Sequence, residues 1–236
     1  MRSTLAIARR EFAAYFYSPV AYVFVVVFLL ISGYMFFTEL FLQSQADMRS
    51  FFNLAPLIFC FFGPLITMRL FAEEKAQGTL EMLLALPVTD WNVVLGKFFA
   101  AMGLVAVALV LTTPYAFFVG HYGPLDKGPA IGGYLGLLFM AGGYVSVGLM
   151  TSVWTKDQNV ASIIGFLISF ALFLVGKLLS VVPQSIAPFL QAISFDYHFQ
   201  SISRGVIDTR DLLYYVSLIA VCLVIAETSL ASRRWR

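Results

Sequence analysis

Six long apolar runs alternate with polar stretches along the 236-residue chain. The runs cover residues 20–37, 51–68, 98–119, 131–154, 160–182 and 212–231. About 20 mostly apolar residues in a helix span the roughly 30 Å hydrocarbon core of a bilayer, because a helix rises about 1.5 Å per residue. The pattern therefore predicts an all-α membrane protein with six transmembrane helices, which occupies the whole chain as a single transmembrane domain (1–236).

The composition excludes two other classes of protein. Hydrophobic residues make up 60% of the chain and charged residues only 12%, against about a quarter charged in soluble domains. A soluble enzyme of this size could not bury so much apolar surface, and a disordered chain would show the opposite balance. The net charge of +2 gives no indication of a nucleic-acid partner.

The distribution of positive charge predicts the topology. With six spans, ten of the fifteen lysines and arginines fall on the side of the N-terminus. Cytoplasmic connections are enriched in these residues. We therefore expect both termini in the cytoplasm. The apolar runs make the lipid bilayer itself a partner of the chain.

The cytoplasmic connection between the second and third runs carries the clearest local signals, over residues 73–90. Gly78 is placed to end one helix, and Thr79 is placed to cap the next, with Glu81 in its first turn. Pro87 disfavours helical geometry in the residue before it, so we expect this helix to end at Leu86. Its leucines, Leu80, Leu83 and Leu84, share one face at helical spacing.

The sequence leaves two alternatives for the contact of this apolar face, lipid headgroups and another protein. An amphipathic helix can lie on lipid headgroups, but such helices usually carry lysine or arginine on the polar face. Here acidic residues exceed basic ones (Glu73, Glu74, Glu81 and Asp90 against Arg69, Lys75 and Lys97). The local charge therefore favours a protein partner over an anionic membrane surface.

This connection also carries a recognisable motif. Residues 71–91 read F-A-E-E-K-A-Q-G-T-L-E-M-L-L-A-L-P-V-T-D-W, and Gly96-Lys97 follows. The string resembles the signature of type-2 (ABC-2) ABC transporter permeases, and is closest to the F-type permease branch associated with bacterial gliding motility. Residues 10–12, 18–19 and the stretch 54–69 extend the resemblance towards the N-terminus.

The resemblance implies a coupling helix that docks on a separate cytoplasmic ABC ATP-binding subunit. It assigns coupling roles to Glu73, Glu74, Gly78, Thr79, Glu81, Leu83, Leu84 and Pro87. It also implies an N-terminal interfacial helix over residues 1–18, where Arg9, Arg10 and Glu11 are candidate ATPase contacts. The alternative for these three residues is a simple positively charged flank. The implied partners are the ATPase and a second permease subunit with a large outer domain, or a second copy of this chain.

The chain lacks the motif that would let it hydrolyse ATP. The phosphate-binding loop G-x-x-x-x-G-K-[ST] does not occur, because Gly96-Lys97 is followed by Phe98 and Gly176-Lys177 by Leu178. We therefore expect a non-enzyme that holds no cofactor, with Mg²⁺ and ATP bound by the partner. Cys60 and Cys222 lie inside apolar runs, so we expect neither a disulfide nor a metal site.

The second long connection covers residues 183–210 on the outer side. It is apolar at its start but broken by Pro183 and Pro188, which predicts a re-entrant segment. Non-helical backbone at membrane depth must be buried in protein or line a cavity, so Pro183, Pro188, Phe189 and Phe195 are candidates for an outer gate. Asp196 and His198 are interpreted as surface residues.

Two functions fit these observations. The first is the permease subunit of an ABC transporter, with export as the expected direction, in the bacterial cytoplasmic (inner) membrane. The alternative is a membrane subunit that does not transport but relays ATPase motion to an outer motility or adhesion machine. The scarcity of charge inside the runs argues against an ion-coupled carrier. The small residues of the fourth run (Gly132, Gly136, Gly143, Ser146 and Gly148) fit packing within the chain or against a second permease.

Overall fold

Helices form all the regular structure in the described residues. The computed structural model describes residues 2–42, 48–84, 88–122, 126–179, 183, 187–206 and 208–234. In chain order the helices are α1 (Arg2–Tyr17), α2 (Pro19–Leu42), α3 (Arg49–Thr67), α4 (Arg69–Ala76), α5 (Thr79–Leu84), α6 (Asp90–Leu111), α7 (Thr113–Tyr122), α8 (Lys127–Trp154), α9 (Gln158–Leu178), α10 (Ala187–Ile193), α11 (Phe195–Ser203) and α12 (Thr209–Arg234).

Six stretches of helix are long and apolar enough to cross a membrane. They are Pro19–Thr38, Phe51–Ala76, Asp90–His121, Lys127–Trp154, Gln158–Leu178 and Thr209–Ser232. The prediction of an all-α protein with six membrane-spanning helices is thereby confirmed for the described residues.

The third of these stretches starts at Asp90 rather than at Phe98, where the apolar run begins. Thr89 is the N-cap, and its hydroxyl accepts the N–H of Asn92 at 3.4 Å. Capping fixes the start of a helix independently of hydropathy. As a result Lys97 lies within α6 instead of in the connection before it.

Helix α8 lies at the centre of the bundle and packs against α3, α6, α9, α11 and α12. Its glycines allow this close contact. A Cβ atom at Gly148 would lie 2.7 Å from the Cα atom of Pro64, and one at Gly143 would lie 2.6 Å from the ring of Phe195. These glycines therefore serve packing within the chain, which is the first of the two interpretations of the small residues.

The outer faces of α2, α9 and α12 are apolar and exposed, in contrast to α8. Residues such as Leu30, Leu167 and Val216 are examples. In a membrane such faces contact either acyl chains or another protein.

Helix α1 packs along α6 and so brings the N-terminus to the α4 end of the bundle. Gly96 and Gly103 make room for it, because a Cβ atom at either position would lie 2.7–3.0 Å from a side-chain atom of Ile7 or Phe12. The hydroxyl of Tyr15 donates to the carbonyl of Ile66 at 2.9 Å. Helix α1 is therefore fixed to the bundle along its whole length.

Candidate functional site

The turn between α4 and α5 depends on a glycine. Gly78 has a φ of +71°, a region that other L-residues rarely adopt. The N–H of Gln77 donates to the carbonyl of Glu73, and that of Gly78 donates to the carbonyl of Lys75. Because the space around Gly78 is open, its backbone conformation, and not crowding, requires glycine here.

The short helix α5 follows this turn directly. Thr79 is its first residue, and its hydroxyl donates back to the carbonyl of Glu74 at 3.3 Å, which ties α5 to α4. Thr79 and Glu81 are exposed, whereas Leu80 is buried within the chain. Leu80, one residue of the predicted apolar face, therefore packs within the chain itself. Leu83 and Leu84 lie in α5, but their side chains, like all of Pro87, lie outside the described residues.

A buried charge cluster joins α1, α4 and α6. The Lys97 side chain is 0% exposed, and its Nζ donates to Glu74 Oε1 at 2.7 Å, to the Leu70 carbonyl at 2.7 Å and to Glu11 Oε1 at 3.5 Å. Lys97 Nζ also lies 5.0 Å from the centre of the Phe71 ring. A buried ammonium group is tolerated only with such partners. We call Glu11, Glu74 and Lys97 the buried cluster.

A cleft opens beside the buried cluster, next to the start of α5. It has a volume of about 560 Å³ and is lined by Glu11, Arg69, Glu73, Glu74 and Thr79 among others. The Arg69 side chain makes two contacts beside the cleft, since Nε donates to Glu73 at 3.0 Å and a terminal nitrogen donates to the Ser18 hydroxyl at 2.7 Å. Arg69 therefore fixes α4 to the junction of α1 and α2.

The predicted N-terminal contact residues divide into two groups. Arg9 is exposed, and Arg10 is more than half exposed. Glu11, in contrast, points inward to Lys97, and it also accepts from Arg10 at 2.5 Å. The hydrogen bond to Glu11 raises the pKa of the Arg10 guanidinium above its usual value. Arg9 and Arg10 thus remain on the surface, while Glu11 belongs to the buried cluster.

Helix α4 is also held to the end of α8. The Ser152 hydroxyl accepts the N–H groups of Phe71 and Ala72, both at 3.1 Å, and donates to the Met68 carbonyl at 2.7 Å. Lys75 Nζ donates to the Val153 carbonyl. Ser152 thereby satisfies backbone donors at the start of α4 that have no partner within the helix.

These contacts make α1, α4 and the start of α6 one mechanical unit, with α5 attached to it through the Gly78 turn. Helix α5 is thus connected to α3 through α4, and to α6 through the bond between Glu74 and Lys97. Among the described residues, no three His, Cys, Asp or Glu side chains lie together as a metal site would require.

Sequence reasoning missed the roles of Lys97, Lys75 and Ser152. The sequence places Lys97 among the charges of the cytoplasmic connection. It lies one turn after Val93 and Val94, however, and both of these residues are fully buried. Its position on that apolar face is the signal that could have identified it. Ser152 gave no signal, because its role depends on a contact with a helix some 80 residues earlier in the chain.

At the opposite end of the bundle, the predicted gate residues lie in different environments. Pro183, Pro188 and Phe189 are exposed. Phe195 is fully buried, and its ring stacks on Tyr144 with the centroids 4.7 Å apart. The described part of residues 183–210 forms the short helices α10 and α11.

The interpretation of Asp196 and His198 as surface residues is wrong. Asp196 accepts from Lys177 at 3.0 Å, and His198 Nδ1 lies 2.7 Å from Asp211 Oδ1. The Asp196, His198 and Asp211 side chains are at most 13% exposed. They are buried because α11 folds back onto α9 and α12, a tertiary contact that local sequence does not reveal.

The fold and this site define a multi-pass all-α membrane protein with a short helix fixed to one end of its bundle. The family model described as "ABC-2 family transporter protein" matches residues 5–231. Since the match covers nearly the whole chain, the chain belongs to the ABC-2 family of transporter proteins. Among curated proteins, none matches the chain.

Proposed function

We propose that the chain is the permease subunit of an ABC exporter, and that a separate cytoplasmic ABC ATP-binding subunit drives it through α5. The observation that carries the proposal is the position of α5. Helix α5 has two turns and exposes polar residues. Gly78 joins it to the unit of α1, α4 and the start of α6, whose charged side chains are paired with one another.

The arrangement of charge supports an external drive. Among the described residues, the salt bridges lie at the two ends of the bundle, around Lys97 at one end and around Asp196 and Asp211 at the other. Ion-coupled carriers need ionisable groups near the middle of the membrane. The position of these salt bridges therefore supports an energy source that acts at one end of the bundle.

The geometry suggests how motion would be transmitted. Movement of the ATPase against α5 would displace α4, which continues the span of α3. Helix α6 would move together with α4, because Glu74 on α4 and Glu11 on α1 both accept hydrogen bonds from the Lys97 ammonium group. Two spans and the N-terminal helix would therefore move together.

Membership of the family supports our proposals for the remaining partners and the location. We place the α5 end in the cytoplasm and the chain in a bacterial inner membrane. The exposed apolar faces of α2, α9 and α12 offer room for a second permease, which is either a subunit with a large outer domain or another copy of this chain. The string from Phe71 to Lys97 supports a place nearest to the gliding-motility branch.

Co-purification in mild detergent tests the ATPase contact. The wild-type protein should retain an ABC ATP-binding subunit, and Glu81→Lys on the exposed side of α5 should release it. Lys156→Glu, which reverses an exposed charge in the connection between α8 and α9, is the matched control and should retain the ATPase. Retention by Glu81→Lys, or equal loss from both variants, would contradict docking at α5.

Reconstitution tests the transport itself. The complex in vesicles should move a substrate in an ATP-dependent manner, away from the face that binds ATP. If the ATPase is bound and active but nothing is moved, and an outer assembly co-purifies instead, the force-relay alternative replaces the exporter.

A further inference from the structure

An apolar groove lies on the membrane face of the bundle, away from the α5 site. It runs between α6–α7 and α8 and has a volume of about 660 Å³. Residues at helical spacing form its two walls, including Leu109, Val110 and Phe117 on one side and Ile131, Leu135 and Leu138 on the other. We call it the α6–α8 groove.

A fixed break in the helix shapes one wall of the groove. Helix α6 ends at Leu111 and α7 begins at Thr113, next to Pro114, which has no N–H to continue the helical hydrogen bonds. Tyr134 on α8 supports the break, because its hydroxyl donates to the Thr112 carbonyl at 2.9 Å and lies 3.2 Å from the Thr112 hydroxyl. These hydrogen bonds join the two walls of the groove at the break.

The groove opens towards the hydrocarbon. Val110, Phe117 and Ile131 are 64%, 80% and 65% exposed, and all three lie within membrane-spanning stretches. The lining side chains are almost all apolar, so water has few partners there. In a bilayer an acyl chain or a protein helix has to fill the space.

The dimensions favour an acyl chain. From Lys127 to Leu138 the groove follows α8 for about 16 Å, at 1.5 Å per residue, which is close to the thickness of one leaflet of a roughly 30 Å core. Its volume lies in the range of small-ligand sites, about 300–1,000 Å³.

One end of the groove carries a positive charge. Lys127 lines it at the start of α8 and is exposed. The neighbouring Asp126 carboxylate accepts the N–H of Gly128 at 3.3 Å as the N-cap of the helix. An ammonium group at the edge of the hydrocarbon region attracts lipid phosphate, and the attraction is stronger when the headgroup has a net negative charge.

We propose that the α6–α8 groove is a binding site for one phospholipid with an anionic headgroup. One acyl chain lies between α6–α7 and α8, and the phosphate pairs with Lys127. The inference requires only that the helices span a membrane. It does not depend on ATPase coupling, so either proposal can fail without the other.

Spin-labelled lipids test the site in the full-length protein. The protein is reconstituted into phosphatidylcholine vesicles that contain a small fraction of phosphatidylglycerol or phosphatidylcholine labelled on an acyl chain. The number of motionally restricted lipids per protein is then measured by electron paramagnetic resonance. Ile131→Trp fills the groove at an exposed position and should remove about one restricted lipid, since the volume fits one chain.

Two further variants make the result specific. Val216→Trp adds the same bulk to the exposed face of α12 and should leave the number of restricted lipids unchanged. Lys127→Glu should keep the acyl chain but lower the preference for phosphatidylglycerol over phosphatidylcholine to about one, because the attractive charge is lost.

Three outcomes would overturn the proposal. The groove is not a lipid site if Ile131→Trp has no effect, or no greater effect than Val216→Trp. The assignment of the headgroup fails if Lys127→Glu leaves the preference unchanged. If the Ile131→Cys variant cross-links through that position to another protein chain in native membranes, the groove is a protein contact instead.

Discussion

The two ends of the bundle are held together by different kinds of contact. At the α5 end, the fully buried Lys97 connects three helices through hydrogen bonds to Glu11, Leu70 and Glu74. At the opposite end, α11 is held by aromatic contacts around Phe195, by an ion pair with the partly exposed Lys177, and by the buried contact between His198 and Asp211. We call them the charged end and the aromatic end.

The difference matters for motion. Hydrogen bonds to a buried charge are directional and costly to break, so the helices of the charged end should keep their relative positions. Aromatic rings make favourable contacts over a range of separations and tilts. We therefore expect the contacts of the aromatic end to repack more readily than those of the charged end.

The largest effect is expected at Lys97. Lys97→Met leaves Glu11 and Glu74 without their buried cation and should destabilise the protein by about 3–5 kcal/mol. Thermal unfolding in detergent measures the loss. Adding Glu74→Leu should recover part of it, because the unpaired carboxylate is then removed. A stability equal to wild type would show that the charged end does not depend on its buried cation.

Ser152→Ala should have the next largest effect. It removes the acceptor for the N–H groups of Phe71 and Ala72, at a cost of about 2 kcal/mol. ATPase activity of the complex, measured beside stability, should become less dependent on the permease because α4 is released from α8. The control is Ser217→Ala on the exposed face of α12, and an equal loss there would exclude a special role for Ser152.

Tyr215→Phe tests the aromatic end. The Tyr215 hydroxyl donates to the Phe195 carbonyl at 2.7 Å, and loss of one such bond in a membrane protein costs about 1 kcal/mol. The unfolding midpoint should fall slightly, and coupling to the ATPase should stay intact. Tyr34→Phe, at an exposed tyrosine of α2, should change neither. A coupling defect in Tyr215→Phe would contradict the division of roles between the two ends.

The smallest effect is expected for Lys177→Met, the counterpart of Lys97→Met at the aromatic end. The Lys177 side chain is 53% exposed, so its pair with Asp196 should contribute less than about 1 kcal/mol. Comparing the two lysine variants in the same thermal assay isolates the effect of burial. A loss as large as that of Lys97→Met would remove the distinction between the ends.

Local sequence was sufficient for much of the fold. Apolar runs located all six spanning helices, because the length of such a run is set by the thickness of the membrane. Gly78 marked the turn before α5, since few residues other than glycine adopt positive φ. The motif around α5 also led to the family that the match over residues 5–231 shows.

Other features were invisible locally because they arise where distant segments meet. Lys97 looked like a surface charge until α1 and α4 were packed on either side of it. Asp196 and His198 looked exposed until α11 was folded against α9 and α12. A polar side chain is buried or solvated according to its neighbours in space, and Glu11, a neighbour of Lys97, lies 86 residues away in the chain.

The sequence by itself determined that this protein spans a membrane, how often it does so and where its short α5 helix begins, since these depend on hydropathy and backbone preference. Only the tertiary structure decided which charges are buried and which helices they join. Burial of a charge is favourable only when its partners are already in place, and packing alone brings those partners together.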